Sequence, residues 1–282
     1  MCAAHGKKYG SFPLAKLHLP VSKSLLTQEI WLRLGFIQCI FRGEGSGERE
    51  EFFPLLAEWK LERYALKFNS LDTGWVAAHI RTARHTLIRL ADGELGYLTL
   101  RMDRGKKGEK ISMLDMCQLT NRLTEHKYYG TYQQLAQTIK KYSSAPMLDV
   151  QRYWEMVLFS WMTGNSDMHC KNFSLIDTGN GEYVLSPAYD LLAVLLADPA
   201  DTEEMAMSFS VGGEKSGFNR NTFMAAFTES GISVVIAEKM IERMKGCIPK
   251  WKELINLSFL PEEMKIDYCT LLDKRKKVLD II

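Results

Sequence analysis

The chain has 282 residues, of which 46% are hydrophobic and 25% are charged, and this balance excludes an intrinsically disordered protein. With 36 lysines and arginines against 34 aspartates and glutamates, the formal net charge of +2 excludes a strong overall attraction to nucleic acids or anionic membranes. The six cysteines form no Cys-x-x-Cys pair, so neither a zinc finger nor a disulfide framework is expected.

The sequence indicates a cytoplasmic protein. Its first residues lead into polar sequence rather than the apolar segment of a signal peptide, and its apolar runs are shorter than the roughly 20 residues that cross a bilayer. The basic run at 274–277 falls near a predicted helix end, where a solvated surface is the expected structure. We therefore expect no contact with membranes and no direct contact with nucleic acids.

Through the first 80 residues no hydrophobic period persists, and only short mixed elements are predicted. The segment 43–48 reads Gly-Glu-Gly-Ser-Gly-Glu. A glycine-rich loop of this kind can cradle a phosphate, but a plain turn is the favoured interpretation.

The first clear elements are two strands and a turn. Residues 86–90 and 95–100 are rich in strand-forming side chains, and they flank Asp92-Gly93, a strong hairpin signal. A glycine- and lysine-rich loop then runs to Lys110. This loop predicts a boundary between an N-terminal lobe, residues 1–104, and a helical C-terminal lobe, residues 105–282.

Beyond the loop the pattern becomes helical. A first helix is predicted around 132–142, and a longer one is expected to begin after Asp149 as N-cap and to end at Gly164. The broad apolar face of the longer helix predicts that it lies in the centre of a core. That face comprises Val150, Tyr153, Trp154, Val157, Leu158, Trp161 and Met162.

A hairpin around 179–181 follows, with 183–185 as its second strand, and amphipathic helices fill 222–282. The predicted fold class is therefore α+β, a small sheet-containing lobe joined to a larger and mainly helical lobe.

Polar side chains surround the predicted hairpin. Asp167 and Asn172 follow the buried helix, five residues apart, and Asp190 lies at the exit of the second strand. Because a hairpin folds the chain back, the third residue can face the other two. Phosphoryl transfer from ATP needs a carboxylate that accepts the proton of the attacking hydroxyl, and an amide oxygen and a second carboxylate that hold Mg²⁺. The spacing is that of a protein-kinase catalytic loop.

Two nearby side chains are open to more than one interpretation. Lys171 could face solvent or neutralise a phosphate oxygen. His169 could contact the nucleotide or tie down the loop as a structural histidine. The Asp-x-x-x-x-Asn pair alone would more often be explained by capping or turns. Its combination with these residues and Asp190 favours a site.

The segments 165–176, Asn-Ser-Asp-Met-His-Cys-Lys-Asn-Phe-Ser-Leu-Ile, and 185–192, Leu-Ser-Pro-Ala-Tyr-Asp-Leu-Leu, resemble the signature of HipA-type serine/threonine kinases, the toxins of bacterial toxin–antitoxin systems. The similarity extends from about His85 to the C-terminus and implies a bilobal kinase-like fold. It implies that Asp167 is the catalytic base and that Asn172 and Asp190 bind magnesium. It also implies that His169, Lys171 and Tyr189 line the nucleotide. Leu100 and Met102 would make backbone contacts to adenine, and Asp103 would lie near the ribose.

The resemblance also implies cofactors and partners. ATP and Mg²⁺ would be required, and the substrate would be a protein, such as an aminoacyl-tRNA synthetase. The length is closest to the short HipT-like members, which lack an N-terminal subdomain. Expected partners are therefore a HipB-like helix-turn-helix antitoxin, a small HipS-like protein that supplies the missing subdomain, or both.

The N-terminal part departs from the family pattern. Neither a Ser-x-x-Gly-x-Gln-x-Lys phosphate loop nor an Ile-Leu-Lys-Pro strand is plain. Residues 63–68 resemble the strand, which would make Lys67 the phosphate-binding lysine. Alternatively, 54–68 is the helix that carries the acidic partner, as Glu58 or Glu62. If the N-terminal segment is degraded, the protein would instead be a pseudokinase that only binds an antitoxin or another partner. A third alternative is a phosphotransferase that uses the same site but acts on a small molecule.

Overall fold

The structure is a computed structural model that describes residues 37–40, 78, 80–89, 95–105, 108–198, 203–210 and 212–281. The glycine-rich loop at 43–48, Lys67, Glu58 and Glu62 lie outside the described residues. The predicted Asp92-Gly93 turn lies outside them as well.

The first sheet is antiparallel, with strand order β1-β3-β2. Its strands are β1, Ile37–Ile40, β2, His85–Arg89, and β3, Leu95–Leu100. β2 pairs with β3 from His85 opposite Thr99 to Arg89 opposite Leu95. The two predicted strands are therefore confirmed, and β3 is the central strand because β1 pairs along its other edge.

The second sheet consists of the predicted hairpin and one further strand, which pairs with the first strand of the hairpin. Its order is β4-β5-β6, all antiparallel, with β4 at Met113–Asp115, β5 at Ser174–Asp177 and β6 at Tyr183–Leu185. The turn closes because the Asp177 carboxylate accepts from the backbone N–H groups of Gly179 and Gly181 at 2.8 and 3.2 Å. Both glycines adopt positive φ, which glycine reaches without steric cost.

Helices α1, Met116–Leu119, and α2, Tyr132–Tyr142, follow β4. Thr131 caps α2 and Gln134 completes a capping box, so the helix begins where its sequence predicts. The side chains that α2 buries are Tyr132, Leu135, Ala136 and Ile139.

The central helix α3 spans Pro146–Thr163 and ends at Gly164, which has a φ of 76°. The predicted N-cap is wrong, because Ala145 is the residue at that position and Asp149 lies inside the first turn. Proline is pre-organised for the first turn of a helix, which explains the earlier start. Asp149 is fully buried instead, and its carboxylate accepts from Ser143 Oγ at 2.6 Å and from the backbone N–H of Leu185 at 2.7 Å.

The predicted core position of α3 is confirmed. Trp154 and Trp161 have no exposed surface, and each finds a partner for its indole N–H, Ser230 Oγ at 2.8 Å and Glu204 Oε2 at 2.9 Å. Burying an aromatic side chain of this size stabilises a fold by about 2–3 kcal/mol.

The remaining helices pack around α3. They are α4 at Val194–Ala197, α5 at Arg220–Glu229, α6 at Val234–Asn256 and α7 at Glu262–Asp280. In the basic run at 274–277, the three lysines are exposed, as predicted, whereas Arg275 is buried. Its guanidinium stacks over the Trp161 ring at 4.5 Å and pairs with Glu204.

The fold class is α+β, as predicted, with two small antiparallel sheets and a mainly helical remainder. Within the described residues no helix combines the length and the apolar character that a membrane span needs.

Candidate active site

The loop between α3 and β5 presents polar side chains from a buried backbone. Met168 and Cys170 are fully buried and His169 between them is buried as well, whereas the flanking Asp167 and Lys171 keep part of their side chains exposed. The Tyr132 hydroxyl donates to the carbonyl oxygen of Met168 at 2.7 Å, and the N–H of Cys170 donates to that of Lys127 at 3.1 Å. The loop is therefore held by hydrogen bonds to two other segments.

Asp167 lies at the surface end of this loop, and its side chain is 36% exposed. Tyr128 donates its phenolic hydroxyl to Asp167 Oδ1 at 3.0 Å. The other carboxylate oxygen, Oδ2, lies 3.9 Å from His169 Nε2, beyond hydrogen-bond distance. Asp167 is therefore a carboxylate with one oxygen engaged and access to solvent.

Asn172 and Asp190 meet across the hairpin. Asn172 is buried in the 3-10 turn Cys170–Asn172, and its side-chain amide donates to Asp190 Oδ2 at 2.6 Å. The amide oxygen accepts from the backbone N–H of His169 at 3.3 Å. Asp190 adopts a φ of 57°, a left-handed conformation in which aspartate is enriched among non-glycine residues.

The electrostatics of this group favour a cation. Although Asp190 keeps part of its surface exposed, desolvation by the surrounding loop raises the pKa of its carboxyl. The hydrogen bond from Asn172 opposes this shift, while the negative charge of Asp167 reinforces it. Burial lowers the pKa of His169, so its imidazole is mainly neutral at neutral pH and adds no positive charge beside the carboxylates.

The donor set fits magnesium. Carboxylate and amide oxygens are the hard ligands that Mg²⁺ prefers, and it commonly keeps several waters beside one or two protein carboxylates. Asp190 provides a carboxylate, and the neighbouring Asn172 provides an amide oxygen, which accepts from the His169 N–H and would have to turn toward a bound ion. Within the described residues no cluster of three or more cysteine, histidine, aspartate or glutamate side chains could hold a metal.

Lys171 and Tyr189 are placed by contacts within the protein. Lys171 Nζ donates to Asp115 Oδ2 at 2.6 Å, and this hydrogen bond raises the pKa of the lysine. The Tyr189 hydroxyl donates to the carbonyl oxygen of Lys171 at 2.7 Å and lies 2.5 Å from Ser174 Oγ. Tyr189 therefore ties the strand that leads to Asp190 onto the loop that carries Asn172.

Leu100 and Met102 lie on the segment that leaves β3. Within the described residues no hydrogen bond joins them to the group formed by Asp167, Asn172 and Asp190. The Asp103 carboxylate accepts from Arg101 Nε at 2.9 Å and from Arg104 Nη1 at 2.7 Å. The hydrogen bond from Arg101 is the main cause of the lowered pKa of Asp103.

Backbone hydrogen bonds join the segment before β2 to the segment that follows β6. Thr82, three residues before β2, pairs in parallel with Ala188, two residues before Asp190. Ala83 donates to the carbonyl oxygen of Ala188 at 2.8 Å, and Ala188 donates to that of Arg81 at 2.7 Å. The entry to the first sheet is thereby attached to the strand exit that carries Asp190.

Three residues near the site were not identified from the sequence. Tyr128 contacts Asp167, Lys127 contributes positive charge near Asp190 and His169, and Asp115 pairs with Lys171. Asp115 had a local signal, since it caps α1 with Gln118 in a capping box. Lys127 and Tyr128 lie in a stretch without hydrophobic period, where no local pattern singles them out.

Comparison with known proteins places this geometry in a family. A family model described as the HipA-like C-terminal domain matches residues 74–251, more than half of the chain. A Sinorhizobium fredii protein named "Putative kinase Y4dM" is 31% identical over 152 residues, and a Haemophilus influenzae "Putative kinase" is 24% identical over 181 residues. These stretches cover 52% and 55% of this chain but only 36% and 48% of the two relatives.

Two solved structures share the fold. HipA of Shewanella oneidensis, solved in a toxin–antitoxin complex with HipB and operator DNA, matches with a TM-score of 0.60 at 18% identity over 86% of this chain and 58% of that chain. The Helicobacter pylori proinflammatory kinase CtkA matches with a TM-score of 0.52 at 18% identity over 77% of this chain and 82% of that chain. The family model matches more than half of the chain, and the two solved structures share the fold of the chain. The chain therefore belongs to the HipA-like C-terminal domain family.

Proposed function

We propose that the protein is an ATP- and Mg²⁺-dependent serine/threonine protein kinase. The observation that supports this most directly is the 2.6 Å contact between Asn172 and Asp190 beside the exposed carboxylate of Asp167. Membership of a family with relatives named as kinases is consistent with the same chemistry. Phosphoryl transfer depends mainly on positioning and electrostatic stabilisation, and these three groups can provide both.

Each residue of the site has a separate role in this proposal. Asp167 orients the acceptor hydroxyl and takes its proton, because its carboxylate is reachable from solvent. Asn172 and Asp190 hold magnesium, which supplies charge compensation for the phosphate oxygens when bound. The Asp190 carboxylate, which accepts from Asn172 and lies close to a second negative charge, is suited to binding a cation.

The nucleotide would lie along the other implied residues. His169 is buried beside Asp167, and its neutral ring can face a phosphate without adding charge. Lys171 would have to exchange its bond with Asp115 for a phosphate oxygen. Tyr189 would line the nucleotide with its ring, while its hydroxyl stays on the loop. Leu100 and Met102 would provide backbone contacts to adenine.

The proposal extends to organisation and partners. Residues 1–104 would form the nucleotide-covering lobe and 105–282 the catalytic lobe. The Shewanella structure contains HipB and operator DNA, which supports a HipB-like antitoxin as a partner of this chain. A HipS-like protein and a cytoplasmic component of translation, such as an aminoacyl-tRNA synthetase, complete the proposed setting as second partner and substrate.

The test is phosphate transfer from γ-labelled ATP, with magnesium, to proteins of a bacterial lysate. We expect a labelled band with the parent protein and with Asp273→Asn, a matched control on the exposed surface of α7. Asp167→Asn should give no band while it binds Mg·ATP normally in a thermal-shift assay. Equal labelling by Asp167→Asn and the parent would contradict the proposal. If Mg·ATP gives no thermal shift but a partner does, the pseudokinase alternative gains support.

A further inference from the structure

Tyr128 makes the closest side-chain contact to the proposed catalytic base. Its hydroxyl donates to Asp167 Oδ1 at 3.0 Å, across 39 residues of sequence. The hydrogen bond occupies one carboxylate oxygen and leaves Oδ2 facing His169 at 3.9 Å. A carboxylate with one oxygen engaged has a defined rotamer, and its second oxygen remains available for an incoming hydroxyl.

The backbone on both sides of Tyr128 is fixed. Lys127 accepts through its carbonyl oxygen from the N–H of Cys170, within the loop that carries Asp167. Tyr129 accepts through its own carbonyl oxygen from Arg122 Nη1 at 2.8 Å. The Tyr128 main chain therefore keeps its place relative to the base, and the contact does not depend on a flexible segment.

The ring of Tyr128 is held as well. It packs edge-on against His169, with 5.1 Å between ring centroids, and Lys127 Nζ lies 4.9 Å from the ring centroid on its face. Both contacts restrict rotation of the side chain. The hydroxyl is consequently pre-organised toward Asp167 before any substrate binds.

From this geometry we infer that Tyr128 is a positioning residue that orients Asp167 for proton abstraction from the acceptor hydroxyl. The inference rests on the proposed kinase function. Tyr128 acts through Asp167: when the acceptor oxygen attacks the γ-phosphorus of ATP, its proton passes to Asp167 and ADP leaves with the electron pair of the broken P–O bond. Tyr128 itself neither gains nor loses a proton.

The decisive variant is Tyr128→Phe, which removes one oxygen and keeps the ring against His169. Tyr129→Phe is the matched control, because that neighbouring tyrosine is 64% exposed and stacks on His126 instead. The probes are Mg·ATP with casein as a serine-containing acceptor, and Mg·ATP alone with water as acceptor. Rates, acceptor KM, ATP affinity and Tm are compared with the parent.

We expect Tyr128→Phe to lower kcat about 10- to 100-fold, since a misoriented catalytic group costs rate rather than binding. The acceptor KM, the ATP affinity and Tm should stay close to those of the parent, and Tyr129→Phe should match the parent throughout. A purely structural role would move Tm or ATP affinity instead.

Three outcomes overturn the inference. Tyr128→Phe could turn over at the parent rate, could lose activity entirely through KM, or could gain activity because the hydroxyl had blocked the acceptor position. A parent protein that transfers phosphate neither to casein, nor to water, nor to any lysate protein would instead refute the proposed function, and this inference with it. An active parent with an equally active Tyr128→Phe variant refutes only the inference.

Discussion

Asn172 donates its side-chain amide to the Asp190 carboxylate at 2.6 Å, although 18 residues of hairpin separate the two. Because Asn172 is buried and Tyr189 anchors the strand exit to the loop, this contact is supported on both sides. The two side chains are therefore preassembled, with the amide nitrogen of Asn172 facing Asp190, and the Asn172 oxygen would turn from the His169 N–H toward a bound ion.

Asp190→Asn should weaken magnesium-dependent ATP binding by about 10- to 100-fold, because it removes the charged member of the donor pair. Isothermal titration of ATP with and without Mg²⁺ measures the effect. Asp167→Asn is the comparison, since it removes a neighbouring charge and is expected to keep the affinity. An Asp190→Asn protein whose ATP affinity rises on adding magnesium as much as that of the parent would show that the metal lies elsewhere.

Lys171 and Asp115 allow a test of the nucleotide position. Lys171→Met should lower ATP affinity several-fold, whereas Asp115→Asn should raise it, because the freed ammonium group can turn to a phosphate. Asparagine preserves the cap of α1, so folding is retained. The partly exposed pair itself contributes less than about 1 kcal/mol to stability. If neither variant alters the affinity measured by titration, Lys171 is not a nucleotide contact.

Asp149→Asn should lower the free energy of unfolding by about 2 kcal/mol. Ser143 Oγ and the Leu185 N–H both donate to Asp149 Oδ2, whereas Oδ1 accepts from Arg152 Nη1. In asparagine one of these oxygens becomes an N–H donor, so the charge-assisted contact with Arg152 is lost. Urea denaturation measures the loss. The exposed Asp273→Asn control is expected to remain within about 0.5 kcal/mol of the parent. Equal midpoints for the two variants would argue against a role of Asp149 in fixing β6.

Two glycines should respond to alanine in opposite directions. Gly164 has a φ of 76°, and an added Cβ would lie 2.7 Å from Leu271 Cδ2, so Gly164→Ala should destabilise by about 1–2 kcal/mol. Gly246 lies inside α6 with open space around it, so Gly246→Ala should stabilise by about 0.5–1 kcal/mol. Thermal unfolding of both variants checks the contrast, which fails if Gly164→Ala is as stable as the parent.

The parts of the site that could be predicted from sequence are those that local structure brings together. The hairpin around 179–181 is encoded by its turn residues, and it alone carries Asp190 back to Asn172. The tryptophan face of α3 likewise follows from helical periodicity within one segment. In both cases the deciding interactions join residues that are close in sequence.

Other features depend on contacts that no local pattern encodes. Asp149 has the side chain of a good N-cap, but its carboxylate accepts instead from the backbone N–H of Leu185, 36 residues away. Lys171 meets Asp115 across 56 residues, and Tyr128 meets Asp167 across 39. Such partners are selected by the packing of whole elements, so residue type and spacing alone could not identify them.

The bridge between residues 81–83 and Ala188 consists of peptide groups alone. Because side-chain substitutions leave the peptide groups in place, these hydrogen bonds can persist when the surrounding residues change. Proline, which lacks the N–H, is the exception. A rotation of the first sheet would thus pull directly on the chain just ahead of Asp190. The first sheet is thus joined by main-chain hydrogen bonds to a residue only two positions ahead of Asp190.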